Sequence, residues 1–98
     1  MNAKFVPSSS VPRETLEWGV LGSLSRPSVT GARQLTILEV TLTPGQGHAF
    51  HKHPDQEEVI VAIEGEVEQW LEQEKRILRP GDSAFIGAGV VHASFNGT

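Results

Sequence analysis

The 98-residue chain contains no cysteine and no tyrosine. The first absence excludes disulfides and thiolate-bound metal, while leaving the redox compartment open. The second removes the phenol from the groups that could act as a general acid or base. Long apolar runs are missing too. The opening MNAKFVPSSS holds only Phe5 and Val6 as large apolar residues, where a secretory signal needs a run of roughly 7–15. No stretch approaches the roughly 20 apolar residues of a membrane helix. A cytoplasmic location with no membrane partner is the expectation. Positive charge is scarce: eight Lys and Arg face twelve Asp and Glu, for a formal charge of −4. Eight of those twelve acids fall between Asp55 and Glu74, and Lys52 is the single Lys or Arg from His51 to Glu74. Such a surface repels phosphate, which sets nucleic-acid binding aside; the acidic run reads as a solvated hairpin.

What is present suits one small β domain. The length supports a single core. Ten glycines and six prolines, with 38% hydrophobic residues, favour short strands joined by turns. Residues 1–12 carry Pro7, three serines and Pro12 and read as an extended arm; residues 13–98 form the domain. Leu16, Trp18 and Val20 alternate with Glu17 and Gly19 as on one half-buried strand, with Trp18 in the core, before a turn at Ser25-Arg26-Pro27-Ser28. The next run puts Leu38, Val40 and Leu42 on one face, toward the interior, and Leu35 and Ile37 on the other, and stops at Pro44-Gly45. After Gly65, Val67, Gln69 and Leu71 alternate with Glu66, Glu68 and Trp70, Glu72 to Glu74 turn, and Arg76 to Leu78 return.

The chain is organised around Gly45 to Gly65, GQGHAFHKHPDQEEVIVAIEG. Side chains two apart on a strand share a face, so His51 and His53 can reach one ion. Pro54 ends that strand and EEVIVAIEG returns, bringing a carboxylate back beside the histidines. Counting back by twos puts Ala49 and Gly47 on the ligand face and His48 opposite, unless a glycine bulge shifts the register. Parity alone does not choose between Glu57 and Glu58. A third histidine, His92, follows the Gly87-Ala88-Gly89 turn, with Ser94 and Asn96 on its face.

The spacing G-x5-H-x-H-x4-E-x6-G from Gly45 through His51, His53 and Glu58 to Gly65 resembles the first motif of the cupin family. Gly81 through Gly87, Gly89 and His92 to Asn96 resembles the second, G-x5-G-x-G-x2-H-x3-N, with Gly87 where the family usually has proline. The resemblance implies an all-β fold, an antiparallel jelly-roll β-barrel or double-stranded β-helix. It selects Glu58 as the inward carboxylate, and His51, His53, Glu58 and His92 as ligands of one divalent metal ion, with Ala62 on the inner wall and Ser94 as a hydroxyl behind the ligands. A set of N and O donors without thiolate suits Fe, Mn, Ni, Co, Cu or Zn.

The leading expectation is a metal-dependent enzyme, dioxygenase-, isomerase- or lyase-like, acting on a small oxygen-rich organic molecule. The alternative is a non-catalytic module that binds metal or a small ligand; a purely structural metal is a third reading. No second catalytic group, such as a further inward histidine, is apparent. Val59, Val61 and Ile63 form an apolar row opposite Glu58, which predicts either a homodimer or cover by a second sheet of the same chain. The family usually adds a strand after the second motif. The arm Asn2 to Val11, anchored by Phe5 and Val6, is accordingly expected to pair with an exposed edge, in its own chain or by exchange with a dimer partner.

Overall fold

The computed structural model describes residues 3–97, so Met1, Asn2 and Thr98 lie outside the described residues. Nine strands are described: β1 (Arg13–Leu16), β2 (Gly19–Ser25), β3 (Ile37–Leu42), β4 (Gly47–His51), β5 (Glu58–Val61), β6 (Val67–Leu71), β7 (Glu74–Leu78), β8 (Ser83–Ile86) and β9 (His92–Phe95). The only helical pieces among the described residues are a 3-10 turn at Ser8–Ser10 and a one-turn helix, α1, at Pro27–Thr30. Short strands rich in β-branched residues and divided by glycine and proline give this all-β, jelly-roll fold. The chain forms two compact units, divided between Thr41 and Leu42.

In the first unit, β1 and β2 form an antiparallel hairpin whose last pair is Leu16 with Gly19. The sequence pattern read Leu16, Trp18 and Val20 as one strand. Glu17 and Trp18 instead make the hairpin turn, and Trp18 is half-buried. The chain can reverse there because Gly19 takes φ 154°, a conformation that only glycine adopts cheaply. The expected turn at Ser25–Ser28 is replaced by α1, which has proline in its first turn and Gly31 in the left-handed conformation at its end, the usual asymmetry of helix ends.

Two expectations are overturned in this unit. Leu38 and Val40 on β3 are 41% and 47% exposed, so the apolar alternation of β3 does not mark a buried face. Phe5 is 99% exposed and no strand forms in the arm among the described residues. Phe5 is therefore no anchor within its own chain. The arm is tied down at its far end, where Val11 is buried and the Arg13 guanidinium donates to the Ser8 carbonyl at 2.8 Å.

The second unit contains a four-stranded sheet in the order β4-β9-β6-β7 and a pair, β5-β8. The β6-β7 hairpin pairs Val67 with Leu78, Gln69 with Arg76 and Leu71 with Glu74. Glu72 opens its turn at φ 55°. The core is small: Ala62, Leu78 and Ala84 are buried together, with Ile60, Val67 and Leu71 packed against them. Ala62 thus sits inside, as expected. Val59, Val61 and Ile63 face away and are exposed, with Phe85, the cross-strand partner of Val59, beside them.

Candidate metal centre

Each of the four residues singled out by spacing arrives from a different structural situation. His51 is the last residue of β4, and His53 lies two residues beyond the strand end rather than on it. Glu58 opens β5. His92 opens β9 opposite both His51 and Leu71. One ligand atom from each of His51, His53, Glu58 and His92 can be chosen so that all lie within 4.8 Å of one another. Two backbone hydrogen bonds fix the cluster. Gly89 N–H donates to the His53 carbonyl at 2.9 Å, and Glu72 N–H to the Val91 carbonyl at 2.8 Å. The glycine turn is thereby held against the His51–His53 segment.

The imidazoles are oriented by their own backbone. His51 Nδ1 is 2.7 Å from the Ala49 carbonyl oxygen and His92 Nδ1 is 2.9 Å from that of Val90. A carbonyl only accepts, so Nδ1 carries the proton in each ring and Nε2 presents its lone pair to the cluster. Such hydrogen bonds behind an imidazole set the tautomer that binds metal.

At the centre, His92 Nε2 lies 3.1 Å from Glu58 Oε1, and His53 Nε2 lies 3.6 Å from the same oxygen. Glu58 Oε1 and His92 Nε2 are buried and have no hydrogen-bond partner. Two acceptors facing each other in a buried position are unfavourable unless a cation lies between them or a proton joins them. The donor set therefore fits a divalent ion: three imidazole nitrogens and one carboxylate, without sulfur.

The bulge changes which residues belong to this face. Along β4 and β9, His48 pairs with Ser94 and His51 with His92, with a register shift between. Three residues on β4 thus span two on β9, which is one extra residue on β4. Parity before the bulge is inverted, so His48 shares the face of Ser94 and His92. Counting by twos from His51 had placed it opposite. Its ring centroid is 4.0 Å from that of His51. The His48 pKa is pulled below the usual 6.5, first by partial desolvation, although the residue as a whole is exposed, and then by the neighbouring His51 and His92. An inward histidine beside the cluster is what the sequence pattern failed to supply.

Ser94, expected behind the ligands, instead donates its hydroxyl to Gln69 Oε1 at 2.6 Å. Gln69 Nε2 donates to the Trp70 carbonyl. Asn96 closes the second motif by donating from its side chain to the Leu42 carbonyl at 2.9 Å, while its backbone and that of Gly45 and Gln46 exchange hydrogen bonds. The asparagine and the first glycine of the two motifs are therefore joined in space.

A three-imidazole, one-carboxylate cluster inside a small antiparallel jelly roll defines a recognisable class of β-barrel. The chain belongs to the Cupin_2 family, described as Cupin domain, whose model matches residues 38–98. Among solved structures, KdgF from Halomonas sp. is 21% identical, with a TM-score of 0.81 over 96% of this chain and 83% of that one. An RmlC-like cupin from Shewanella frigidimarina is 20% identical, with a TM-score of 0.82 over 94% and 78%. A protein described as a sugar phosphate isomerase of the cupin superfamily, from Silicibacter pomeroyi, is 23% identical, with a TM-score of 0.78 over 97% and 68%. Comparison with curated protein sequences finds no significant match.

Proposed function

We propose that this domain is a metal-dependent enzyme that acts on a small, oxygen-rich organic molecule by an isomerase- or lyase-like proton shift. The observation that supports this reading best is the buried, unpartnered Glu58 Oε1 facing His92 Nε2 at 3.1 Å. His51, His53, Glu58 and His92 would hold one divalent ion. The ion supplies Lewis acidity at a substrate oxygen, which four protein donors leave room for on a metal that accepts five or six.

His48 is the chain's own candidate for proton transfer. It lies on the cluster's face, and its lowered pKa leaves it in the neutral, proton-accepting form at neutral pH. A proton acceptor on the cluster's face favours a proton shift over the dioxygenase-like alternative. The description of one structural neighbour as a sugar phosphate isomerase points the same way, at the level of fold only. We also propose self-association through the exposed row Val59, Val61 and Ile63, and light scattering showing a monomer at micromolar concentration would remove that part.

The test is solvent-proton exchange into hydroxy-carbonyl substrates, followed by NMR with Zn- and Mn-loaded protein. Exchange that disappears in both His51→Ala and His48→Gln is the expected result. Oxygen uptake without exchange would support the dioxygenase-like reading. Ligand binding with neither activity would leave a non-catalytic binding module.

A further inference from the structure

Two cross-strand rows run across the face of the four-stranded sheet that carries the cluster. The first is His51, His92, Leu71, Glu74; the second, beside it, is His48, Ser94, Gln69, Arg76. Residues directly opposite each other in antiparallel strands share a face. A polar row thus leads from the cluster to the outer strand β7. At that end lies a cavity of about 280 Å³ lined by Gln69, Leu71, Arg76, Leu78, Ala84 and Phe85, together with Glu74. Leu71 belongs to both places, since it is the cross-strand partner of His92 and a wall of the cavity.

We propose that this cavity is a subsite for the uncharged, hydroxyl-bearing tail of a substrate whose oxygen-donor head is bound at the His51, His53, Glu58, His92 cluster. The proposal rests on the metal-binding reading above. Its chemistry comes from the tail-facing groups. The cavity is near the lower limit for organic ligands and suits a molecule of a few carbons. Leu71, Leu78 and Ala84 offer apolar surface to C–H faces, and Gln69, fixed by Ser94 and nearly fully buried, is a polar group whose position does not have to be organised on binding. Arg76 alone would favour an anion.

Arg76 is not alone: its Nε donates to Glu74 Oε2 at 2.6 Å. The pair is neutral in sum and presents both donors and acceptors, the combination that hydroxyl groups satisfy and that a carboxylate or phosphate does not. An anion entering here would meet Glu74 as a like charge and would have to displace it from Arg76.

Three six-carbon acids with the same 2-hydroxy-acid head isolate the tail: gluconate with a polyol tail, glucarate with a terminal carboxylate, and 2-hydroxyhexanoate with an alkyl tail. Each is titrated calorimetrically into Zn-loaded protein whose metal content is measured before and after. Gluconate is expected to bind about tenfold more tightly than either of the others, the scale of one or two well-placed hydrogen bonds to charged groups. Glu74→Gln should reverse the order of gluconate and glucarate by freeing the Arg76 fork, and Arg76→Gln should reduce gluconate binding to that of 2-hydroxyhexanoate. Both side chains are largely exposed, so neither variant threatens folding.

Preference of the wild-type protein for glucarate would overturn the uncharged class. Equal binding of all three would overturn the subsite while leaving the metal-bound head intact. Binding of none with zinc retained would overturn the head-group reading and the subsite with it.

Discussion

Two short strands of this barrel each contribute a group to the cluster, and they are built in opposite ways. β9 is paired on both sides, by β4 and β6. His92 on it is 1% exposed and Ala93 fully buried. β5 is paired with β8 alone among the described residues, and while Glu58 points in, Val59 and Val61 are 60% and 54% exposed. A side chain on a doubly paired, buried strand has its position dictated by two ladders and by packing. One at the start of a singly paired strand is held by fewer constraints and can readjust. The site therefore has a fixed half centred on His92 of β9, to which β4 and His51 are laddered, and a compliant half, the carboxylate on β5.

The fixed half should break hardest. Gly47 on β4 faces Phe95 on β9, and a Cβ there would overlap the Ser94 carbonyl oxygen and sit 2.7 Å from Phe95 Cα. Backbone cannot step aside without breaking the ladder. Gly47→Ala should cost about 3 kcal/mol and shift His48 and His51 together, so metal content should fall with the melting temperature. Retention of both would show that β4 and β9 are less tightly coupled than the register implies.

The two ligands can then be set against each other. His92→Ala removes a buried ring along with its hydrogen bond to Val90, and should cost about 2–4 kcal/mol even without metal. Glu58→Gln should behave differently. In metal-free protein the amide can donate to His92 Nε2, replacing two opposed acceptors by a hydrogen bond, so stability should hold or rise by up to about 1 kcal/mol. Metal affinity should fall by about tenfold or more, because a neutral donor replaces an anionic one. Chemical denaturation of metal-free protein together with metal titration separates the two effects. Equal destabilisation by both variants would remove the distinction between the halves.

The same contrast marks what was legible in the sequence. The four-residue cluster was readable because its members are spaced by local rules: His51 and His53 two apart, Glu58 and His92 by motif. The fold class followed from the same motifs and from the glycine- and proline-punctuated short runs. His48 was misplaced because a bulge is one extra residue in the pairing of two strands, and no pattern within β4 alone reveals it. The Gln69–Ser94 bond and the Arg76 row were invisible for a related reason, since each joins residues through register between β6, β7 and β9. Apolar alternation misled at β3, where Leu38 and Val40 have the periodicity of a buried face and stay exposed.

A smaller effect tests the fixed half through pH. Folding lowers the His48 pKa below 6.5, so the unfolded chain binds more protons than the folded one between the lowered value and about 6.5. Stability should therefore rise with pH through that window and be lost as pH falls through it. Measured on metal-free protein, so that release of metal from protonated imidazoles does not contribute, His48→Gln should flatten the slope. An unchanged slope would place the proton uptake elsewhere in the cluster.

The smallest expected change lies where the two halves are connected. β8, the partner of β5, runs into Gly87-Ala88-Gly89 and then to His92, so this turn links the compliant strand pair to the fixed one. Gly89 needs its φ of 80°. Gly87 does not adopt a positive φ, and a Cβ there would meet only Val90 Cγ2 at 3.7 Å, an ordinary contact. The turn uses the Gly87 carbonyl, which accepts from Val90 N–H at 3.2 Å, and proline retains that group. Ile86 ends β8 in extended conformation, the conformation favoured before proline. Neither a positive φ nor a Cβ overlap opposes proline here, while the unfolded chain loses freedom it now has. Gly87→Pro should gain about 0.4–1 kcal/mol with metal content unchanged. If the melting temperature rises but metal affinity falls, the looseness of this link is part of how Glu58 adjusts to the imidazoles. A lower melting temperature would mean that the Gly87 N–H or its exact φ is needed after all.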